Sequence, residues 1–142
     1  IKLKPDYAAA FGNRGNAYAD LGQDARAIED YNQVIRLKPD DAKAYNNRGA
    51  AYTRLEQYTR AIEDFNQAIR LKPNFAKAYN IRGGALILSG QIHQGCRDAS
   101  TACNLGDCSI LELTKNEGWC NAATSAPKTV KTKKRNRKKK TL

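Results

Sequence analysis

The most reactive side chains of this sequence are four cysteines and the single histidine, which all lie between residues 93 and 120. His93 precedes Cys96 by three residues, so a helix would place both on one side, as a cysteine nucleophile and its base require. Cys96 and Cys103 are seven residues apart, the spacing of a buried helical stripe, and free cysteine is among the most buried residue types. We therefore interpret the cysteines, including Cys108 and Cys120, mainly as buried structural residues, with a metal site or disulfides as the alternatives.

An enzyme is the least favoured interpretation, because the sequence offers no acid or oxyanion donor to complete a Cys/His pair. The cysteine spacings of 7, 5 and 12 also lack the close pair typical of zinc modules. We predict a protein without catalytic activity, cofactor or bound metal.

The positive charge of the chain is concentrated at its C-terminus. The net charge is +11, but residues 128–142 (KTVKTKKRNRKKKTL) hold nine of the 25 Lys and Arg and no acidic residue. We predict that residues 122–142 form a disordered basic tail, because almost nothing in them is apolar. Such a tail favours salt-sensitive binding to nucleic acid, an acidic membrane surface or an acidic partner; a solubilising end is the alternative. The cationic residues of this predicted site are Lys133, Lys134, Arg135, Arg137, Lys138, Lys139 and Lys140.

The rest of the chain is built from a repeated unit. Residues 8–41 and 42–75 align without a gap and are identical at 21 of 34 positions. Each unit has two blocks of helically spaced apolar residues around a polar corner, and Pro39 and Pro73 end the second block. Gly15 and Gly49 fall inside the first block, which implies a close contact with a small residue of the second. Each unit is therefore predicted to be a pair of antiparallel helices.

The pattern of these units resembles the tetratricopeptide repeat family. The matching positions are the aromatic residues Phe11, Tyr45, Tyr31 and Phe65, the glycines Gly15 and Gly49, the tyrosines Tyr18 and Tyr52, the alanines Ala27 and Ala61, and the prolines Pro39 and Pro73. The resemblance implies an all-α fold, a right-handed α-solenoid of antiparallel helix pairs that acts in protein–protein interaction.

We divide the chain on this pattern as follows. Residues 1–7 are the end of a truncated preceding repeat, 8–41 and 42–75 are two repeats, 76–109 a degenerate third repeat, 110–121 a capping helix and 122–142 the tail. Asp107 is expected to cap the capping helix, and Ile110, Leu111 and Leu113 to cover the end of the stack. The chain is thus predicted to be the C-terminal piece of a longer array whose exposed N-terminal face self-associates or frays. We expect a cytoplasmic protein with no membrane span.

An arginine and an aspartate recur on the two facing helices of every unit. The three pairs are Arg14 with Asp30, Arg48 with Asp64, and Arg82 with Asp98. We interpret them as bidentate bridges that hold each helix pair together, rather than as ligand-binding residues.

The resemblance also implies that the first helix of each unit lines a concave groove. Asparagine both donates and accepts hydrogen bonds, so asparagines in this groove can pair with the main chain of an extended peptide or a partner helix. Lysine and arginine side chains in the groove favour an acidic segment or a terminal carboxylate. The predicted groove residues are Asn13, Asn16, Lys43, Asn46, Asn47, Arg54, Lys77 and Asn80. 

Family members that clamp the two terminal carboxylates of chaperone peptides use Lys, Asn, Asn, Lys and Arg in three successive units. Here Asn16, Asn47 and Lys77 match this set, whereas Gly12 stands in place of the first lysine and Ile81 in place of the arginine. Binding of a chaperone tail is therefore not the favoured form of the prediction.

Overall fold

The structure is a computed structural model that describes residues 5–121, with side chains from Tyr7 onward. Within this range it has seven α-helices and no strand, so the prediction of an all-α solenoid is confirmed. The helices are α1 (Pro5–Asp20), α2 (Asp24–Leu37), α3 (Ala42–Arg54), α4 (Tyr58–Leu71), α5 (Ala76–Leu88), α6 (Ile92–Asn104) and α7 (Ser109–Asn116). The basic tail, with its predicted disorder and cationic residues, lies outside the described residues.

Helices α1 to α6 form three antiparallel pairs that stack in chain order, since α2 packs on α3 and α4 packs on α5. The first helix of each pair is followed by a turn whose second residue has a left-handed backbone. These residues are Gly22, Glu56 and Gly90, with φ of 74°, 60° and 93°. A left-handed residue reverses the chain within one turn and lets the second helix fold back on the first.

The core lies between successive helix pairs and consists mainly of alanines and aromatic rings. Phe65 is fully buried and packs with Ala61 and Ala85, which links the second pair to the third. A Cβ atom added at Gly49 would lie 2.8 Å from Cε1 of Phe65. The expected close contact therefore exists, but its partner at this position is an aromatic ring and not a small residue.

Each of the three Arg and Asp pairs forms two hydrogen bonds in the structure. Arg48 Nε lies 2.8 Å from Asp64 Oδ2 and Arg48 Nη2 lies 2.7 Å from Asp64 Oδ1. Arg14 with Asp30 and Arg82 with Asp98 repeat this geometry. 

The same guanidinium groups also contact the preceding helix pair. Arg48 Nη1 donates to Asn32 Oδ1, and Arg82 Nη1 donates to Asn66 Oδ1, both at 2.8 Å. One side chain therefore joins the two helices of its own pair and connects that pair to its neighbour.

Helix α7 packs on both helices of the third pair, and two disulfides tie this end of the chain together. Cys96 is bonded to Cys120, and Cys103 to Cys108, so no cysteine is free. Cys96 and Cys120 are buried, as predicted, but the favoured interpretation as free thiols is wrong. Spacing alone does not reveal that the segment after α7 returns Cys120 to α6.

The packing of α7 also differs from the prediction. Asp107 Oδ1 accepts hydrogen bonds from the amide and the hydroxyl of Ser109 at the start of the helix. Leu113, however, is 57% exposed, and Thr114 is buried instead. The expectation that Leu113 covers the stack is wrong, because α7 turns its Thr114 face inward.

None of the helices within residues 5–121 is long and apolar enough to cross a membrane.

Candidate functional site

Two adjoining cavities run along the first helices of the three pairs, and we call them together the groove. The larger, of about 420 Å³, is lined by Asn16, Ala19, Asp20, Tyr31, Asn46, Asn47, Ala50, Arg54, Lys77 and Ile81. The smaller, of about 250 Å³, is lined by Ala8, Ala9, Gly12, Asn13, Asn16, Tyr31, Val34, Lys38, Asp41, Lys43, Ala44 and Asn47. Seven of the eight predicted groove residues therefore line it, and Asn80 lines neither cavity.

A small hydrogen-bond network holds the polar centre of the groove. Asn16 Oδ1 accepts from the hydroxyl of Tyr31 at 2.7 Å and from Nδ2 of Asn47 at 3.3 Å. Because the oxygen of Asn16 is used twice, its Nδ2 group is the part of the amide left to donate, and no residue within 5–121 accepts from it. This arrangement leaves Nδ2 of Asn16 as a donor and Oδ1 of Asn47 as an acceptor in the groove.

Tyr31 is the group that holds Asn16, and the sequence analysis names it as a repeat aromatic but not as a groove residue. It occupies the position in α2 that Phe65 occupies in α4, and an aromatic residue at this position is expected in the core. Only the hydroxyl of Tyr31 distinguishes it from Phe65. Burial raises the pKa of Tyr31, with nearby Asp20 and Asp24 adding to the rise and Arg54 opposing it. The hydroxyl therefore remains a proton donor to Asn16 across the neutral range.

The cations of the groove differ in how they are engaged. Arg54 is predicted as a ligand cation, but its Nε lies 2.8 Å from Asp24 Oδ1, so its charge is already paired across two repeats. Lys43 and Lys77 are exposed and form no ion pair within the described range. Lys38, which the sequence analysis missed, lines the smaller cavity together with Lys43.

Two asparagines of the predicted set are buried instead of exposed. Asn46 is 1% exposed and lines the larger cavity, and no donor within residues 5–121 reaches its Oδ1. Asn80 is 8% exposed, and its Oδ1 accepts the backbone N–H of Ile110 at 3.1 Å. The prediction that Asn80 lines the open groove is wrong, because α7 covers it.

The positions that match the carboxylate-clamp pattern come together in space. Asn16, Asn47, Lys77 and Ile81 line the larger cavity, and Gly12 lines the smaller one beside the two asparagines. A Cβ atom at Gly12 would meet only Val34 Cγ2 within 4 Å, at 3.7 Å. The groove is therefore open where the family's first lysine would stand.

The pair of His93 and Cys96 contains no free nucleophile in this structure. Cys96 is bonded to Cys120, so its sulfur is not a thiolate. Among the described residues, no group of three or more His, Cys, Asp or Glu is placed to hold a metal ion.

Comparison with known proteins agrees with the repeat architecture. The family model described as TPR repeat matches residues 15–56, and the one described as Tetratricopeptide repeat matches residues 42–75. No curated protein sequence matches the chain significantly. 

Solved structures give the more extensive likeness. The second TPR domain of human RPAP3, in complex with the HSP70 peptide SGPTIEEVD, is 32% identical with a TM-score of 0.72, over 79% of this chain and 97% of that one. The TPR2B domain of yeast Sti1 in its pHsp70 complex is 27% identical with a TM-score of 0.69, over 78% and 89%. The first TPR domain of human RPAP3 has the same fold, with a TM-score of 0.77, 24% identity and coverage of 85% and 97%. The chain belongs to the tetratricopeptide repeat family.

Proposed function

We propose that this protein is a non-catalytic interaction module whose groove binds an extended peptide that ends in an acidic residue and a free carboxylate. The observation on which this rests is the convergence of Asn16, Asn47 and Lys77 on one open cavity. Two amides supply directional hydrogen bonds and an unpaired ammonium supplies charge, which together suit a carboxylate.

The relatives support a peptide as the ligand. The human RPAP3 domain is described in complex with an HSP70 peptide that ends in EEVD, and the yeast Sti1 domain is described as a pHsp70 complex. This chain matches the clamp pattern at Asn16, Asn47 and Lys77.

Gly12 and Ile81 differ from the clamp pattern, and these differences change which peptides we expect the groove to prefer. Ile81 removes a cation from the larger cavity and presents an apolar side chain there, so one carboxylate of the ligand loses a partner. Lys38 and Lys43 line the smaller cavity beside Gly12 and place positive charge near the missing lysine. We expect the protein to bind acidic C-terminal peptides more weakly than a complete clamp, with one apolar ligand side chain near Ile81.

The test is a titration of the full chain with labelled SGPTIEEVD and with the same peptide amidated at its C-terminus. Loss of a charge-assisted hydrogen bond is worth about 1.5–3 kcal/mol, so amidation should weaken binding about tenfold or more. The variant Asn47→Ala/Lys77→Ala should show the same loss with an unchanged fold. Equal affinity for both peptides, or no binding of either, would refute this proposal.

Binding through the basic tail requires a control, because the tail attracts any acidic peptide. A chain that ends at Pro127 lacks the cationic residues of the tail but keeps the groove. If the groove is the site, this truncated chain retains the preference for the free carboxylate. If the tail is the site, the truncation abolishes binding at low salt.

A further inference from the structure

The residues that line both cavities of the groove are Asn16, Tyr31 and Asn47. Asn16 is exposed, whereas Tyr31 is buried beneath it. The hydroxyl of Tyr31 donates to Oδ1 of Asn16 at 2.7 Å, and Nδ2 of Asn47 donates to the same oxygen. The clamp pattern includes both asparagines, but neither that pattern nor the repeat core assigns a role to the tyrosine hydroxyl.

The second repeat shows that the ring of Tyr31 does not need its hydroxyl in order to pack. A Cβ atom added at the first-helix glycine of each unit would lie 2.9 Å from Cε1 of Tyr31 and 2.8 Å from Cε1 of Phe65, so the two rings occupy the same place. The residue that accepts from the hydroxyl is Asn16, and its equivalent in the second repeat is Ala50. In these two repeats the hydroxyl is therefore present where an asparagine can accept from it and absent where an alanine stands.

The hydroxyl determines which end of the Asn16 amide points into the groove. Asn16 is the only hydrogen-bond partner of the Tyr31 hydroxyl within residues 5–121, so a reversed amide would bury the phenolic proton without an acceptor. A buried donor without an acceptor is unfavourable. Oδ1 therefore faces Tyr31, and the two hydrogens of Nδ2 remain for a ligand. A carboxylate can accept from these hydrogens, whereas a reversed amide would place an oxygen against the carboxylate oxygens.

We propose that Tyr31 is a positioning residue that makes the groove selective for a free C-terminal carboxylate over an uncharged C-terminus. This inference rests on the proposed function, because it concerns the same carboxylate site. The hydroxyl holds Asn16 in one orientation before the ligand arrives, so this side chain does not have to be ordered on binding. A C-terminal amide donates as well as accepts hydrogen bonds, so it gains less than a carboxylate from a donor that is fixed in place.

The first test uses two labelled peptides, SGPTIEEVD and its C-terminal amide. Tyr31→Phe should bind the free acid about fivefold more weakly, because the ligand must then order Asn16, and its affinity for the amide should change less. In the Asn16→Ala background, Tyr31→Phe should have no further effect. A merely structural role of the hydroxyl would weaken binding in both backgrounds. Tyr45→Phe removes a hydroxyl outside both cavities and is the matched control, with both affinities unchanged.

The second test examines the hydrogen bond in the free protein by nuclear magnetic resonance. The phenolic proton of Tyr31 should give a slowly exchanging signal, because it is buried and bonded to Asn16. This signal should be lost in Asn16→Ala, where the proton has no acceptor. A rapidly exchanging phenolic proton in the wild type would show that Tyr31 does not donate to Asn16, and would overturn the inference.

The outcomes separate this inference from the proposed function. If the wild type prefers the free acid and Tyr31→Phe keeps the same preference, the proposed function stands and the role of Tyr31 is refuted. An equal loss for both peptides, or an equal loss with and without Asn16, also refutes it. If the wild type binds both peptides equally or binds neither, the proposed function fails, and the inference about its selectivity fails with it.

Discussion

Arg48 and Asp64 are joined by two hydrogen bonds across one helix pair, and their side chains are only 20% and 7% exposed. Arg14 and Asp30 have the same geometry, but the side chain of Arg14 is 59% exposed. Hydrogen bonding to Asp64 raises the pKa of Arg48 further above its ordinary range and outweighs the effect of burial, so Arg48 stays charged. The two bridges share the bonds between guanidinium and carboxylate, and they differ in burial and in the further bond from Arg48 to Asn32.

We predict that removal of the aspartate is more harmful in the second repeat than in the first. Asp64→Ala leaves the guanidinium of Arg48 largely shielded from water and should lower the free energy of unfolding by about 3 kcal/mol. Asp30→Ala leaves Arg14 hydrated and should lower it by clearly less. Urea denaturation followed by circular dichroism measures both, and equal losses would contradict the prediction.

Two helical glycines should respond to alanine with opposite sign. At Gly49 a Cβ would lie 2.8 Å from Cε1 and 3.0 Å from Cζ of Phe65, so Gly49→Ala should destabilise the protein by about 1–3 kcal/mol. At Gly12 the nearest atom is 3.7 Å away, so Gly12→Ala should stabilise it by about 0.5–1 kcal/mol through helix propensity. Thermal melting of both variants is the measurement; destabilisation by Gly12→Ala would disagree with the open space at this site.

Restoring the missing clamp cations should strengthen peptide binding. Gly12→Lys enters open space, and Ile81→Arg places a guanidinium in the cavity of Lys77. Each added charge-assisted bond is worth about 1.5 kcal/mol, so each variant should bind SGPTIEEVD about tenfold more tightly. Ile81 also packs against the core, so Ile81→Arg should lower the melting temperature. 

The amidated peptide is the control for this prediction. Its terminal carboxylate is absent, so its affinity should gain less than that of the free acid. A gain of the same size for both peptides would mean that the new cations raise affinity through general charge and not through the terminal carboxylate.

Loss of the Cys96–Cys120 disulfide should loosen the C-terminal end and spare the first two repeats. The bridge spans 24 residues, and a loop of this size contributes about 3 kcal/mol by restricting the unfolded chain. Cys96→Ala/Cys120→Ala should therefore speed amide exchange in α7, including the Ile110 amide bound by Asn80, while α1 to α4 change little. Cys103→Ala/Cys108→Ala, which removes a bridge of only five residues, is the milder control. Faster exchange spread evenly over all helices would count against this prediction.

The raised pKa of Tyr31 predicts a loss of stability at alkaline pH. Burial lifts this pKa above its ordinary value of 10.0, so the folded protein holds the proton more tightly than the unfolded chain does. The contribution is complete below pH 10 and declines as the pH rises from there through the folded pKa. Tyr31→Phe removes it, and the ring is acceptable since Phe65 occupies the equivalent position.

The measurement is urea denaturation of the wild type and Tyr31→Phe between pH 8 and pH 11. The free energy of unfolding of the wild type should decrease relative to the variant as the pH rises above about 10. A difference that is constant with pH would show that Tyr31 does not retain its proton preferentially in the fold.

The repeated features of this fold could be predicted because the sequence presents each of them more than once. The Arg48–Asp64 contact follows from two helices that face each other in every unit. Asn16 and Asn47 stand at different positions of the repeat, and the resemblance to the family identifies them as groove residues. The contact of Arg54 with Asp24 could not be found in this way. It joins two positions whose residue types occur in only one repeat each.

The remaining errors concern the segment that follows the third helix pair. The family resemblance predicts that Asn80 lines the open groove, but a non-repeating helix covers it through Ile110. Disulfide connectivity among four cysteines has three solutions, and spacing does not choose between them. Leu113 is exposed because α7 packs on α5 and α6 through the face that carries Thr114. The spacing of apolar residues within one short helix does not show which face its neighbours cover.

The hydrogen bonds from Arg48 to Asn32 and from Arg82 to Asn66 have a consequence for how the protein unfolds. In a stacked array, each unit has its own stability and a coupling to its neighbour, and these are usually separate quantities. Here one guanidinium contributes to both, so a unit that opens internally also weakens its attachment to the unit before it. Opening of one helix pair should therefore promote opening of the pair before it, so the groove that the pairs share should be lost as a unit.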